Sequence, residues 1–202
     1  MSTKAVLIGS LVVVAVLLWG CGAAQEDLNA WLALAPGEGF FMLEGSHWTY
    51  DNQKCVYLKR MGTHLNHTMV AYSGWLNKTE YTRHPILLST HQGSGGADSL
   101  LKIETKSAAY FYDIKHADKM TSCIVMTEHN NTTTQKCMMW IRDHFARTTN
   151  VDAKQRLTRC QAKYTSLNCK TEQQPDIEEP RCPALTSILP ITTDESDLKS
   201  CR

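Results

Sequence analysis

Net charge is nearly absent from this chain, with 21 basic residues set against 20 acidic ones over 202 positions. A neutral balance excludes the electrostatic footprint carried by proteins that bind nucleic acid or anionic membrane. The short motifs of catalysis are missing as well: there is no Gly-x-Ser-x-Gly, no His-Glu-x-x-His and no phosphate-binding glycine loop. Gly93-Ser94-Gly95-Gly96 lacks the lysine and helix of such a loop, so a flexible turn is expected there. The eight histidines are scattered. His64 and His67 lie three apart without a third ligand nearby, and surface positions are expected for them. No Cys-x-x-Cys pair exists, which weakens zinc and redox readings. No enzyme activity, metal or cofactor is expected. Internal repeats are also lacking.

Long apolar runs are equally scarce. One spans Leu7 to Trp19, after Lys4 and before the small residues Gly22-Ala23-Ala24. That is the layout of a secretory signal peptide cleaved after Ala24, and the run is too short for a membrane span. Leu18-Trp19-Gly20-Cys21 also fits a bacterial lipoprotein box. The expected organisation is a signal over 1–24, one folded domain over 25–182 and an extended tail over 183–202.

Seven cysteines follow the signal: Cys55, Cys123, Cys137, Cys160, Cys169, Cys182 and Cys201. In an oxidising, extracellular setting they read as disulfides, with one thiol left over, assigned to Cys201. Sequons at Asn66, Asn77, Asn130 and Asn131 fall in polar, turn-like stretches, where glycosylation is expected.

Glu26 to Leu34 reads as a short helix ended by Pro36 and Gly37. Eight stretches of strand character follow, near 40–50, 54–61, 67–76, 84–91, 99–106, 108–115, 122–128 and 135–142. Spacing of about ten residues predicts an antiparallel sandwich or barrel. Alternation sets Leu101 and Ile103 against Lys102 and Glu104, and Phe111 and Asp113 against Tyr110 and Tyr112. The pattern then changes period. Ala153, Leu157, Cys160, Tyr164 and Leu167 form one stripe of an amphipathic helix over 152–167, with Cys160 on the packing face.

Taken in order, Trp48, Cys55-Val56-Tyr57-Leu58, Phe111-Tyr112-Asp113, Cys123-Ile124-Val125-Met126, Cys137-Met138-Met139-Trp140 and the Cys160…Tyr164…Cys169 helix resemble the tick salivary lipocalins, the histamine-binding protein family. The resemblance spans nearly all of the chain after the signal. It implies an eight-stranded antiparallel lipocalin barrel, mainly β, with a short N-terminal helix and a C-terminal α-helix packed on the barrel wall. It also implies capture of host mediators such as histamine, serotonin or eicosanoids. The family's amine signature has an Asp after the strand cysteine and a Glu-Leu-Trp on the next strand. Here those positions are Ile124 and Met138-Met139-Trp140, so both acids are gone, while Phe111 and Asp113 remain.

The expected pairs are Cys55–Cys182, Cys123–Cys160 and Cys137–Cys169. The expected ligand contacts are Trp48, Leu101, Ile103, Phe111, Asp113, Ile124, Met126, Met138 and Trp140. Among these, Asp113 would be the partner of an amine, Trp140 and Phe111 would supply cation–π faces, and Ile124 and Met138 would form a greasy wall for a lipid. Core filling is the alternative role for Ile124, Met126, Met138 and Trp140. Tyr110 and Tyr112 are assigned to outer packing. The expected function is a secreted, monomeric lipocalin that sequesters one small molecule and so counters host inflammation. Nucleic acid and membrane are not expected as partners. A rival function is a scaffold whose loops bind a host immune or haemostatic protein.

Overall fold

The computed structural model describes residues 28–34, 39–45, 53–61, 68–118, 123–130, 136–147, 150–169, 172–173 and 182–188. Trp48, Asn66, Asn131, Cys201, His64 and His67 lie outside them, as do residues 1–24.

A single helical turn, α1 (Ala30–Ala33), precedes nine strands: β1 (Gly39–Gly45), β2 (Lys54–Arg60), β3 (Thr68–Asn77), β4 (Glu80–Tyr81), β5 (His84–Gly93), β6 (Gly96–Glu104), β7 (Ala109–Ala117), β8 (Cys123–Glu128) and β9 (Cys137–Arg142). All pairings are antiparallel, in the order β1-β2-β3-β5-β6-β7-β8-β9, and β9 returns to β1 to close the barrel. Strand β4 extends the tip of β3. The short helix α2 (Asp143–Ala146) and the long helix α3 (Val151–Ser166) follow, and a short β10 (Glu172–Gln173) pairs with β1. The expected eight-stranded barrel and C-terminal helix are therefore present. Their boundaries fall within a few residues of those predicted, because period-2 and period-3.6 patterns are distinct over such lengths.

Alternation decides what the barrel holds. Phe40, Met42, Val56, Leu58, Met69, Ala71, Ile86, Leu88, Leu101, Ile103, Tyr112, Ile114, Ile124, Met126, Met138 and Trp140 form one buried cluster inside. Each of the larger aliphatic side chains among them contributes roughly 1.5–3 kcal/mol on leaving water. Cross-strand partners match in kind: Ile124 stands opposite Trp140, and Met126 opposite Met138.

One end of the barrel is sealed. Leu28 and Trp31 pack against the interior cluster, and Ala30 and Leu34 are buried beneath it. The Arg60 guanidinium lies 5.3 Å from the Trp31 ring centre and donates to the Leu34 carbonyl. Gly93 and Gly96 bound the turn that carries β5 into β6, and Gly96 has a φ of 109°. That positive φ is open to glycine at little cost.

Helix α3 packs on the outside of β8 and β9. Asn150 caps it, accepting from the Asp152 amide at 2.8 Å. Its buried Cys160 and Tyr164 meet Cys123, Val125, Cys137 and Met139, the outward set of β8 and β9. The structure pairs Cys55 with Cys182, Cys123 with Cys160 and Cys137 with Cys169, at Cα separations of 5.6, 6.5 and 5.7 Å.

Residues 183–188, expected as part of an extended tail, instead close onto the wall. Leu185 to Ser187 form a 3-10 turn, and Leu185 and Ile188 are buried with Phe41, Tyr57 and Tyr72. Buried Lys59 donates to the Leu185 and Ile188 carbonyls, Asp143 accepts from the Leu185 amide, and Arg147 donates to the Cys182 carbonyl. These polar anchors, together with the burial of Leu185 and Ile188, hold the six residues docked.

Candidate functional site: a cavity at the open end of the barrel

Opposite the seal, the barrel opens into a cavity of about 700 Å³. Four strands supply it. Val56 comes from β2, Ser73 and Trp75 from β3, His84 and Ile86 from β5, and Tyr110 from β7. Gln53, Arg83 and the β6–β7 turn Thr105-Lys106-Ser107 form its rim.

Local chemistry fixes this rim. The Trp75 amide donates to Thr82 Oγ1 at 3.0 Å, and the Thr82 amide donates to the Trp75 carbonyl at 2.8 Å. Arg83 is thereby held at the start of β5. The indole of Trp75 stacks on the His84 ring, with centroids 5.0 Å apart and planes inclined by 25°. On the other side, Thr105 Oγ1 donates to the Ala108 carbonyl at 3.0 Å and accepts from the Ala108 amide at 3.1 Å. That turn carries Lys106. The Gln53 amide oxygen is buried with no donor.

The ionisable side chains lining the cavity are Arg83, His84, Lys106 and Tyr110; no carboxylate lines it among the described residues. Glu128, at the open end of β8, is engaged by Lys136 at 3.5 Å and lies outside the lining.

The positions chosen from sequence fall elsewhere. Leu101, Ile103, Ile124, Met126, Met138 and Trp140 point inward, but all are within the packed interior and none lines the cavity. Flexible methionines 42, 126 and 138 help fill that side of the barrel. The indole N–H of Trp140 is buried without an acceptor.

Phe111 and Asp113 face outward, contrary to expectation. Phe111 is 38% exposed beneath Lys102, and Asp113 meets His129 at 3.1 Å and Lys115 at 3.6 Å. The inward pair is instead Tyr112 and Ile114, because the register sets Tyr112 beside inward Leu101 and Ile114 beside inward Met126. Outer packing for Tyr110 and Tyr112 is likewise corrected: Tyr112 is core and Tyr110 lines the cavity.

His116, Cys123 and Cys160 bring three possible metal-ligand atoms within 4.8 Å of one another. The two sulfurs are joined as a disulfide, which leaves no thiolate to hold a metal.

A closed eight-stranded antiparallel barrel with a helix on its wall, sealed at one end and hollow at the other, defines the lipocalin fold. Solved structures agree with that class. A serotonin complex of AM182 superposes with a TM-score of 0.56 at 11% identity, covering 78% of this chain and 94% of that one. Japanin from Rhipicephalus appendiculatus, bound to cholesterol, gives 0.54 at 12% identity, covering 75% and 99%. H1 crustacyanin from the lobster Homarus americanus gives 0.52 at 14%, covering 74% and 80%. At such identities the likeness is one of fold. No protein-family model matches the sequence, and no curated protein matches it.

Proposed function

We propose that this protein is a secreted lipocalin that captures one small molecule in the cavity at the open end of its barrel. The carrying observation is the cavity itself, about 700 Å³ and lined by inward side chains of four strands above a packed interior. Its lining mixes Val56, Trp75, Pro85 and Ile86 with polar side chains, and concave sites of this size suit small ligands. The work is equilibrium sequestration, not catalysis, with neither cofactor nor metal. The resemblance to histamine-binding proteins of tick saliva supports host mediators as the targets, and capture of them would blunt inflammation. Three disulfides and exposed sequon residues Asn77 and Asn130 suit a glycosylated extracellular chain. Native mass spectrometry of the protein from a secreting host tests this: one bound small molecule, or uptake of one from an added mediator panel, supports it. A barrel that takes up none, or one whose uptake Trp75→Ala leaves unchanged, would refute it.

A second function has its own observation. Phe111 stands exposed on the outer face of β5–β7, away from helix α3. An aromatic there suits a scaffold that meets a host protein. A Phe111→Ser variant that loses a partner while retaining small-molecule uptake would favour it.

A further inference from the structure

We infer that the barrel mouth selects anions: its ligand is a planar ring compound bearing an acid group, not an amine. This deepens the capture function above and rests on it. Three observations carry the inference. The charge inventory is one-sided, with Arg83, His84 and Lys106 all exposed at the rim and no carboxylate among the described lining residues. The carboxylate expected to serve an amine, Asp113, lies on the outside and is already occupied by His129 and Lys115. The stacked Trp75–His84 pair, with Tyr110 of β7 also in the lining, offers flat faces to a flat ring.

Among the described lining residues a cationic amine would find no counter-charge to replace the water it sheds, and two cationic side chains stand at the rim. An acid group gains what the amine loses. Charges at the mouth of a cleft also focus the field on an approaching anion. The shape favours a compact ring over a long chain, because the interior beneath is packed by Leu58, Leu88, Ile103 and Tyr112. The unpartnered Gln53 oxygen asks the ring for a donor, such as an N–H or O–H.

Three indoles of similar size with an anionic, a neutral and a cationic side chain form the test: indole-3-acetate, tryptophol and tryptamine, titrated into the full secreted protein and followed by calorimetry. Indole-3-acetate should bind at least tenfold tighter than tryptamine, with tryptophol between. Arg83→Gln combined with Lys106→Gln should bring the acetate down to the level of tryptophol and leave tryptophol unchanged. Tryptamine binding as tightly as the acetate, or an acetate affinity indifferent to the double variant, overturns anion selection while the capture site stands. Trp75→Ala and, as a milder variant, Tyr110→Ser separate that failure from failure of the site. Both should weaken all three probes at least fivefold. If none of the indoles binds, or neither variant matters, the capture site and the inference fall together.

Discussion

The backbone of Gly74 runs so close to Thr82 that a β-carbon on Gly74 would overlap the Thr82 carbonyl oxygen. That approach lets the two residues beside them, Trp75 and Arg83, sit together on the rim of the cavity. Gly74→Ala should therefore cost about 2 kcal/mol or more, because the obstacle is backbone and cannot swing aside. Chemical denaturation would show a lowered midpoint. An unchanged midpoint would mean that the β3–β4 tip is free to shift.

Lys59 holds the C-terminal turn by donating at 2.8 Å to Leu185 and at 2.6 Å to Ile188. Burial lowers its proton affinity, and nearby Asp143 offsets part of that loss. Lys59→Met should destabilise the fold by about 2–4 kcal/mol, since two carbonyls and one carboxylate lose a charged partner. Thermal unfolding measures this. Arginine at the same position should recover part of the loss, whereas a Tm equal to the parent's for the methionine variant would rule out an anchoring role.

Glu44 introduces a dependence on pH. Burial raises its proton affinity above the ordinary carboxylate value. Between that ordinary value and the raised one, the folded protein holds more proton than the unfolded chain. Stability contributed by Glu44 is thus present at low pH and lost as pH rises through the raised value. Glu44→Gln should flatten the stability curve in that window and raise stability at pH 7 by less than about 1 kcal/mol, as the side chain is partly exposed. The Tyr164 hydroxyl, pushed up to about 12 by burial and then by Glu44, should titrate lower in the same variant. A Tyr164 titration that does not move would show that the two groups are uncoupled.

Asp113 faces away from the cavity, so Asp113→Asn should leave indole-3-acetate affinity within about twofold of the parent. Loss of the contacts to His129 and Lys115 should lower stability by about 0.5–1 kcal/mol. A tenfold loss of affinity would place Asp113 back in the site.

Much of the architecture was legible in the sequence because burial leaves a period. Leu101 and Ile103 declare their face, and the stripe through Cys160 and Tyr164 declares a helix. The site was harder to read for two reasons. Tyr110-Phe111-Tyr112-Asp113 puts three aromatics in a row, so alternation alone cannot say which two go in; the partner strand decides, through Leu101 beside Tyr112. Trp75 and His84 stand where inward-facing strand ends meet solvent, and there polar and aromatic residues mix without a period. Their one signal was position: two ring side chains on strands joined by a short turn. The inward wall of Ile124, Met126, Met138 and Trp140 was correctly oriented, but apolar character cannot distinguish a wall that faces a cavity from one that fills the barrel.

The seal built by Trp31, Leu34 and Arg60 has a kinetic consequence. A vessel with one door exchanges its contents strictly in sequence: the resident must leave before a newcomer can enter. Displacement by a competitor should then proceed at the resident's own dissociation rate, however much competitor is supplied. Residence time, set at the rim by Trp75, Arg83 and Lys106, becomes the quantity on which such a carrier is tuned.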